Sequence, residues 1–153
     1  MFEKLRARAD AALTGLAHVT EHVGSTAVPG LAAKPIIDLD VVVPDDAAAG
    51  PAIGALEAAG WRHQGNLGIN GREAFLPPDD AIYHHLYVVV ADSQPHRDHI
   101  DLRDFLRAHP APAGQYSDLK LRLAALLKTD RPAYSDGKAQ MITELLRRAR
   151  CAG

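Results

Sequence analysis

The run Pro35-Ile36-Ile37-Asp38-Leu39-Asp40-Val41-Val42-Val43 constrains this chain more than any other stretch. It is β-branched, closed by Pro44 and interrupted only by two carboxylates, a pattern that predicts a strand. Alternate residues of a strand share a face, so Asp38 and Asp40 point to one side while Ile37, Leu39 and Val41 point to the other. Two carboxylates standing together on an apolar strand repel each other and are costly to desolvate. They call for water, a cation or a raised pKa. A hard divalent cation such as magnesium meets all three demands with carboxylate and phosphate oxygens as its shell. An exposed strand end beside Pro44 would also tolerate the pair.

Upstream, Gly24-Ser25-Thr26 follows a short predicted strand over Val19-Thr20-Glu21-His22-Val23. A glycine after a strand lets the backbone approach a ligand closely, and the following amides and hydroxyls can donate to phosphate oxygens. Gly-Ser alone is a common turn. Beside an Asp-x-Asp strand it specifies a phosphate cradle next to a metal platform, the way a nucleoside triphosphate is held with its metal.

The rest of the chain bounds the answer. With 153 residues, 47% of them hydrophobic, one globular domain over residues 1–153 is expected, its C-terminal part helical from about residue 94. Seventeen basic against nineteen acidic residues leave a net charge of -2, which offers no extended nucleic-acid surface. Aromatic residues at 5% argue against a base-stacking platform. The longest apolar run, Tyr87-Val88-Val89-Val90-Ala91, is strand-sized, so no membrane span is expected. The N-terminus alternates in charge where a secretory signal is apolar, which points to the cytoplasm. Cys151 has no internal disulfide partner.

Periodicity predicts a helix from Met1 to about Leu16, helped to its end by Gly15, and another from Pro51 to Ala59 ending at Gly60. Strands are expected at 72–76 and 85–90, joined as a hairpin by Pro77-Pro78-Asp79-Asp80. Beyond Ser93, a candidate N-cap, a helix carries Ile100, Leu102, Phe105 and Leu106 until Pro110 and Pro112 break it. Two more helices follow, at about 114–127 and 134–150. The fold class is α+β, with α and β mixed: a short mixed sheet flanked by helices, then a helical segment.

The run His22-Val23-Gly24-Ser25-Thr26-Ala27-Val28-Pro29-Gly30-Leu31-Ala32-Ala33-Lys34-Pro35-Ile36-Ile37-Asp38 resembles the signature of the GrpB-like proteins, a branch of the nucleotidyltransferase superfamily related to the polymerase beta palm. The resemblance continues through Gly68-Ile69-Asn70-Gly71-Arg72, His84-His85-Leu86, Leu102-Arg103-Asp104-Phe105-Leu106-Arg107, Tyr116-Ser117-Asp118-Leu119-Lys120 and Tyr134-Ser135-Asp136-Gly137-Lys138. It implies a nucleotidyltransferase-like fold, with Gly24 and Ser25 opening the nucleotide-binding turn and Asp38 and Asp40 holding one or two magnesium or manganese ions. The superfamily takes a third carboxylate from a later strand. Here that strand offers His85 and Tyr87, so His85 is either a substitute metal ligand or a base for the acceptor.

Thr26, Lys34, Arg72, Lys120 and Lys138 are candidate phosphate contacts beside Gly24 and Ser25. Arg103, Lys120 and Lys138 come from successive helices and are expected to form a basic wall facing the aspartates. Asp104 and Arg107 read as a solvated helix-face network. His22 precedes the turn and is a candidate to orient Ser25 or an acceptor. The pairs His18/His22, His84/His85 and His96/His99 lack cysteine partners and a His-Glu-x-x-His spacing, so they read as surface or hydrogen-bonded histidines and not as a zinc site. The leading expectation is a metal-dependent nucleotidyltransferase that joins a nucleotidyl group from a nucleoside triphosphate to an unknown acceptor. The alternative is a non-catalytic nucleotide- or coenzyme-binding module that keeps the Gly-Ser and Asp-x-Asp elements. A homodimer through the apolar stripes of the C-terminal helices is a further expectation, which packing within the chain explains equally.

Overall fold

A computed structural model describes residues 2–31, 36–127 and 129–152. Helix α1 (Phe2–Ala12) ends before Gly15, whose φ of +85° a side-chain-bearing residue rarely adopts. Strand β1 (Val19–Val23) leads into a 3-10 turn at Ser25–Ala27, and β2 (Ile37–Val43) carries the two aspartates. Helix α2 (Asp46–Ala58) starts five residues ahead of the expected Pro51. Asp45 caps it by accepting from the Ala48 amide, and Pro51 then forfeits only one helical hydrogen bond inside an alanine-rich segment.

Strands β3 (Arg62–Gly65), β4 (Arg72–Leu76) and β5 (His84–Val90) follow, and β4 and β5 pair antiparallel as the predicted hairpin. Strand β3 carries no apolar alternation. It is a polar edge strand with a bulge between His63 and Gly65, which is why the hydrophobic pattern does not reveal it. Helices α3 (Gln94–Ala108), α4 (Pro110–Leu123) and α5 (Arg131–Ala152) complete the chain. Pro110 does break the helical run, but as the first residue of α4, where its missing N–H would have no partner anyway.

The sheet order is β1-β2-β5-β4-β3, with only β2 and β5 parallel. The protein is therefore a mixed α+β fold, with a five-stranded mixed sheet and five helices among the described residues. One sheet face sends Leu39, Val41, Leu86 and Val88 into a core with Leu5 of α1, Leu13 just after it, Leu56 of α2 and Trp61. The other face lies under α3, and Val28, Phe105, Leu106, Tyr116 and Leu145 form a second core among the C-terminal helices. With both faces covered, β2 is a buried central strand. Asp38 and Asp40 thus sit between layers, away from any exposed strand end.

Candidate active site on the carboxylate face

At the end of β1, Gly24 adopts φ +75°, and a Cβ added there would come 2.1 Å from Asp38 Oδ2. The turn backbone lies directly against the carboxylate, so glycine is required twice over, by conformation and by space. The Ala27 amide donates to the Gly24 carbonyl at 3.1 Å and closes the turn. Helix α3 braces it from outside. Arg103 Nη1 donates to the His22 carbonyl at 3.2 Å and to Glu21 Oε2 at 2.8 Å, and Arg107 Nε donates to the Ala27 carbonyl at 2.8 Å. Two arginines one helical turn apart thus hold both ends of the Gly24 segment.

The strand register fixes the floor of the site. Asp38 pairs with His85 across β2 and β5, Asp40 pairs with Tyr87, and Glu21 lies opposite Asp40 on β1. Asp38 is 24% exposed and accepts from His85 Nδ1 at 2.6 Å. Asp40 is fully buried and accepts from His99 Nδ1 of α3, also at 2.6 Å, while its Oδ1 has no partner among the described residues. A carboxylate only accepts, so each imidazole carries its proton on Nδ1 toward the aspartate and keeps Nε2 for another contact. Burial works against the charged form of His99, but the hydrogen bond and negative charge of Asp40 outweigh it and raise its pKa.

Above this floor lies a cavity of about 280 Å³, lined by Asp38, His85 and Tyr87 from the sheet and by residues of α3, α4 and α5, His99 of α3 among them. Lys138 lines it, and the Lys120 ammonium lies 5.4 Å from the Tyr116 ring centroid. Burial, reinforced by the charge of Lys138 and opposed by that of Asp38, brings the Lys120 pKa down to about 8. The Arg72 guanidinium stacks 4.8 Å from the Tyr87 ring centroid, and its buried Nε has no partner among the described residues. Burial raises the Tyr87 phenol pKa, with Asp38 and Asp40 adding to the effect.

The fold thus brings Gly24, Asp38, Asp40, His85, Arg103 and Lys138 to one face, with Arg72 and Lys120 adjoining. Ser25 and Thr26 stand in the turn beside them. Lys34 lies outside the described residues. His22 is on the opposite sheet face, in register with Leu39, where its ring stacks on Phe2 at 4.4 Å and Nε2 hydrogen-bonds Thr26 Oγ1 at 2.9 Å. Arg72 begins β4 and stacks inward on Tyr87.

Two residues escaped the sequence reading. His99 looked like half of a surface pair, and only the packing of α3 on the sheet brings it to Asp40. Arg107 looked solvated but holds the turn. Its spacing of four from Arg103 was the available signal. Among the described residues no three histidine, cysteine or acidic side chains are arranged to hold a metal ion.

The family described as GrpB protein matches residues 1–148 of this chain. The chain is 39% identical to a UPF0157 protein of Pseudomonas aeruginosa over 92% of its length and 58% of that protein's. It is 36% identical to the UPF0157 protein YqkA of Bacillus subtilis over 79% of its length and 35% of that protein's. It therefore spans little more than half of the first relative and about a third of the second. The crystal structure of conserved protein GrpB from Enterococcus faecalis superposes with a TM-score of 0.79 at 30% identity, covering 96% of this chain and 91% of that one. A more distant likeness, with a TM-score of 0.46 at 18% identity over 79% of this chain and 34% of that one, is to Cid1 in complex with its short product ApU.

Proposed function

This chain belongs to the GrpB family, and we propose that it is a metal-dependent nucleotidyltransferase that binds a nucleoside triphosphate against the Gly24 turn. One observation carries the proposal: the turn backbone and the Asp38 carboxylate touch, with Asp40 two residues along the same strand, so phosphate cradle and carboxylate pair form one surface. The donor set fits a hard cation. Asp40 Oδ1 is a buried carboxylate oxygen with no partner among the described residues, and Asp38 is the more open of the pair. Asp38 and Asp40 would hold the ion, which when bound neutralises triphosphate charge and orients the α-phosphate.

In this reading His85 serves the acceptor. Asp38 fixes its Nδ1 proton, which leaves Nε2 unprotonated in the neutral ring and able to take the proton from an acceptor hydroxyl or amine. The acceptor oxygen or nitrogen then bonds to the α-phosphorus, the bond from that phosphorus to the bridging oxygen breaks, and pyrophosphate leaves with the electron pair. Arg72, stacked on Tyr87 with an unused Nε, adds positive charge on the same face.

A second reading keeps binding and drops transfer. Its support is that each aspartate is closed by an imidazole where the superfamily has a third acidic ligand. Calorimetric titration with the four ribonucleoside triphosphates, with and without magnesium or manganese, tests both. Metal-dependent binding that Asp38→Asn lowers at least tenfold, together with pyrophosphate release once an acceptor is supplied, supports transfer. Binding without release supports the accessory module. No triphosphate binding under any metal condition overturns both.

A further inference from the structure

The wall that the helices and the segment after the turn give this cavity is built for something other than phosphate. Leu31 after the turn, Leu102 and Leu106 of α3, Tyr116 of α4 and Ile142 of α5 line it with apolar surface. A triphosphate and its metal gain nothing from such a wall, whereas a hydrocarbon or aromatic body gains by leaving water. A volume of about 280 Å³ suits one small molecule.

Lys138 brings a positive charge to this wall. Lys138 lies one helical turn before Ile142 on α5 and lines the same cavity, and among the described residues it makes no ion pair. Arg103, the other cation lining the cavity, is already committed to Glu21, Asp104 and the His22 carbonyl. Burial lowers the pKa of Lys120, with the charge of Lys138 adding to the effect and that of Asp38 opposing it, so a second cation lies within electrostatic reach of an anion held on Lys138.

We propose that this wall of the cavity binds an apolar monocarboxylate, its body against Leu102, Leu106, Tyr116 and Ile142 and its carboxylate on Lys138. Its binding is independent of the transfer reading above, since neither Asp38 nor a metal takes part.

The test titrates the protein with acetate, butanoate and hexanoate in the absence of nucleotide and metal, following side-chain methyl resonances by NMR. Affinity is expected to rise about tenfold from butanoate to hexanoate as two more methylenes are buried. The shifts should fall on Leu102, Leu106 and Ile142. Hexylamine, with the opposite charge on the same tail, should bind at least tenfold more weakly than hexanoate. Lys138→Met should weaken hexanoate about tenfold. Affinity independent of chain length, hexylamine binding as well as hexanoate, or shifts confined to other parts of the protein would each overturn the proposal. Because the series contains no triphosphate, it can succeed where nucleotide titration fails, and fail where that succeeds.

Discussion

Gly24 and His84 show how much single residues decide here. At Gly24, Ala would have to adopt a left-handed backbone, at about 1–2 kcal/mol, and its methyl would displace the Asp38 carboxylate. Gly24→Ala should therefore lower the unfolding free energy by at least about 1–2 kcal/mol in urea and abolish metal-dependent triphosphate binding. An unchanged urea midpoint would contradict the described turn. His84 is fully buried on the other face. Its Nε2 accepts from Trp61 Nε1 at 3.0 Å while its Nδ1 donates to the Ile82 carbonyl at 2.8 Å, so only the neutral ring satisfies both partners. Burial lowers its pKa, against the opposing Ile82 hydrogen bond and with help from the charges of His85 and Arg8. The unfolded chain then binds the extra proton more readily. The stability His84 contributes is full above about pH 6.5 and is lost as the pH falls toward the lowered folded value. Measured against His84→Gln, the wild type's advantage in urea midpoint should be larger at pH 8 than at pH 5, whereas a gap that widened on acidification would reverse the sign argued here.

Among the elements, α3 does the most to join sheet and helices. Its Arg103 and Arg107 hold the turn after β1, its His99 reaches Asp40 on β2, and its Phe105 and Leu106 enter the core of the helical part. Helix α5 backs it: Leu145 is fully buried against that cluster, and Arg150 pairs with Asp98 at 2.6 Å and Asp101 at 3.3 Å. Those surface pairs contribute little on their own, so apolar burial at Leu145 carries the contact. Leu145→Ala should lower the unfolding free energy by about 2–5 kcal/mol, as a buried leucine truncation does. A loss below about 1 kcal/mol would mean that the helices are not packed as described.

Across the whole molecule, two cores lie on either side of one sheet and the carboxylate face is caught between layers. That arrangement makes Asp40 a buried acid and not a solvated one, and gives its imidazole partner in α3 a reason to be there. Among the described residues no helix is long and apolar enough to cross a membrane. The mixed α+β class, the β4–β5 hairpin and the helical run from Gln94 were all legible, because each rests on a local pattern of period two or of about 3.6. Strand β3 was not, since a short polar edge strand has no period to read. The early start of α2 was missed because Pro51 was taken as a boundary when the Asp45 cap lay further upstream.

Sequence alone determined that Asp38 and Asp40 share a face, because strand alternation is a property of the backbone. It likewise placed Gly24 where a turn must meet them. Tertiary structure decided what those carboxylates face. His85 comes from a strand 47 residues away and His99 from a helix 59 residues away, and Lys138 reaches the cavity from the last helix. Such meetings depend on sheet order and on how helices pack across a sheet. Those are set by the sum of many weak apolar contacts along the chain and leave no mark on the few residues they bring together.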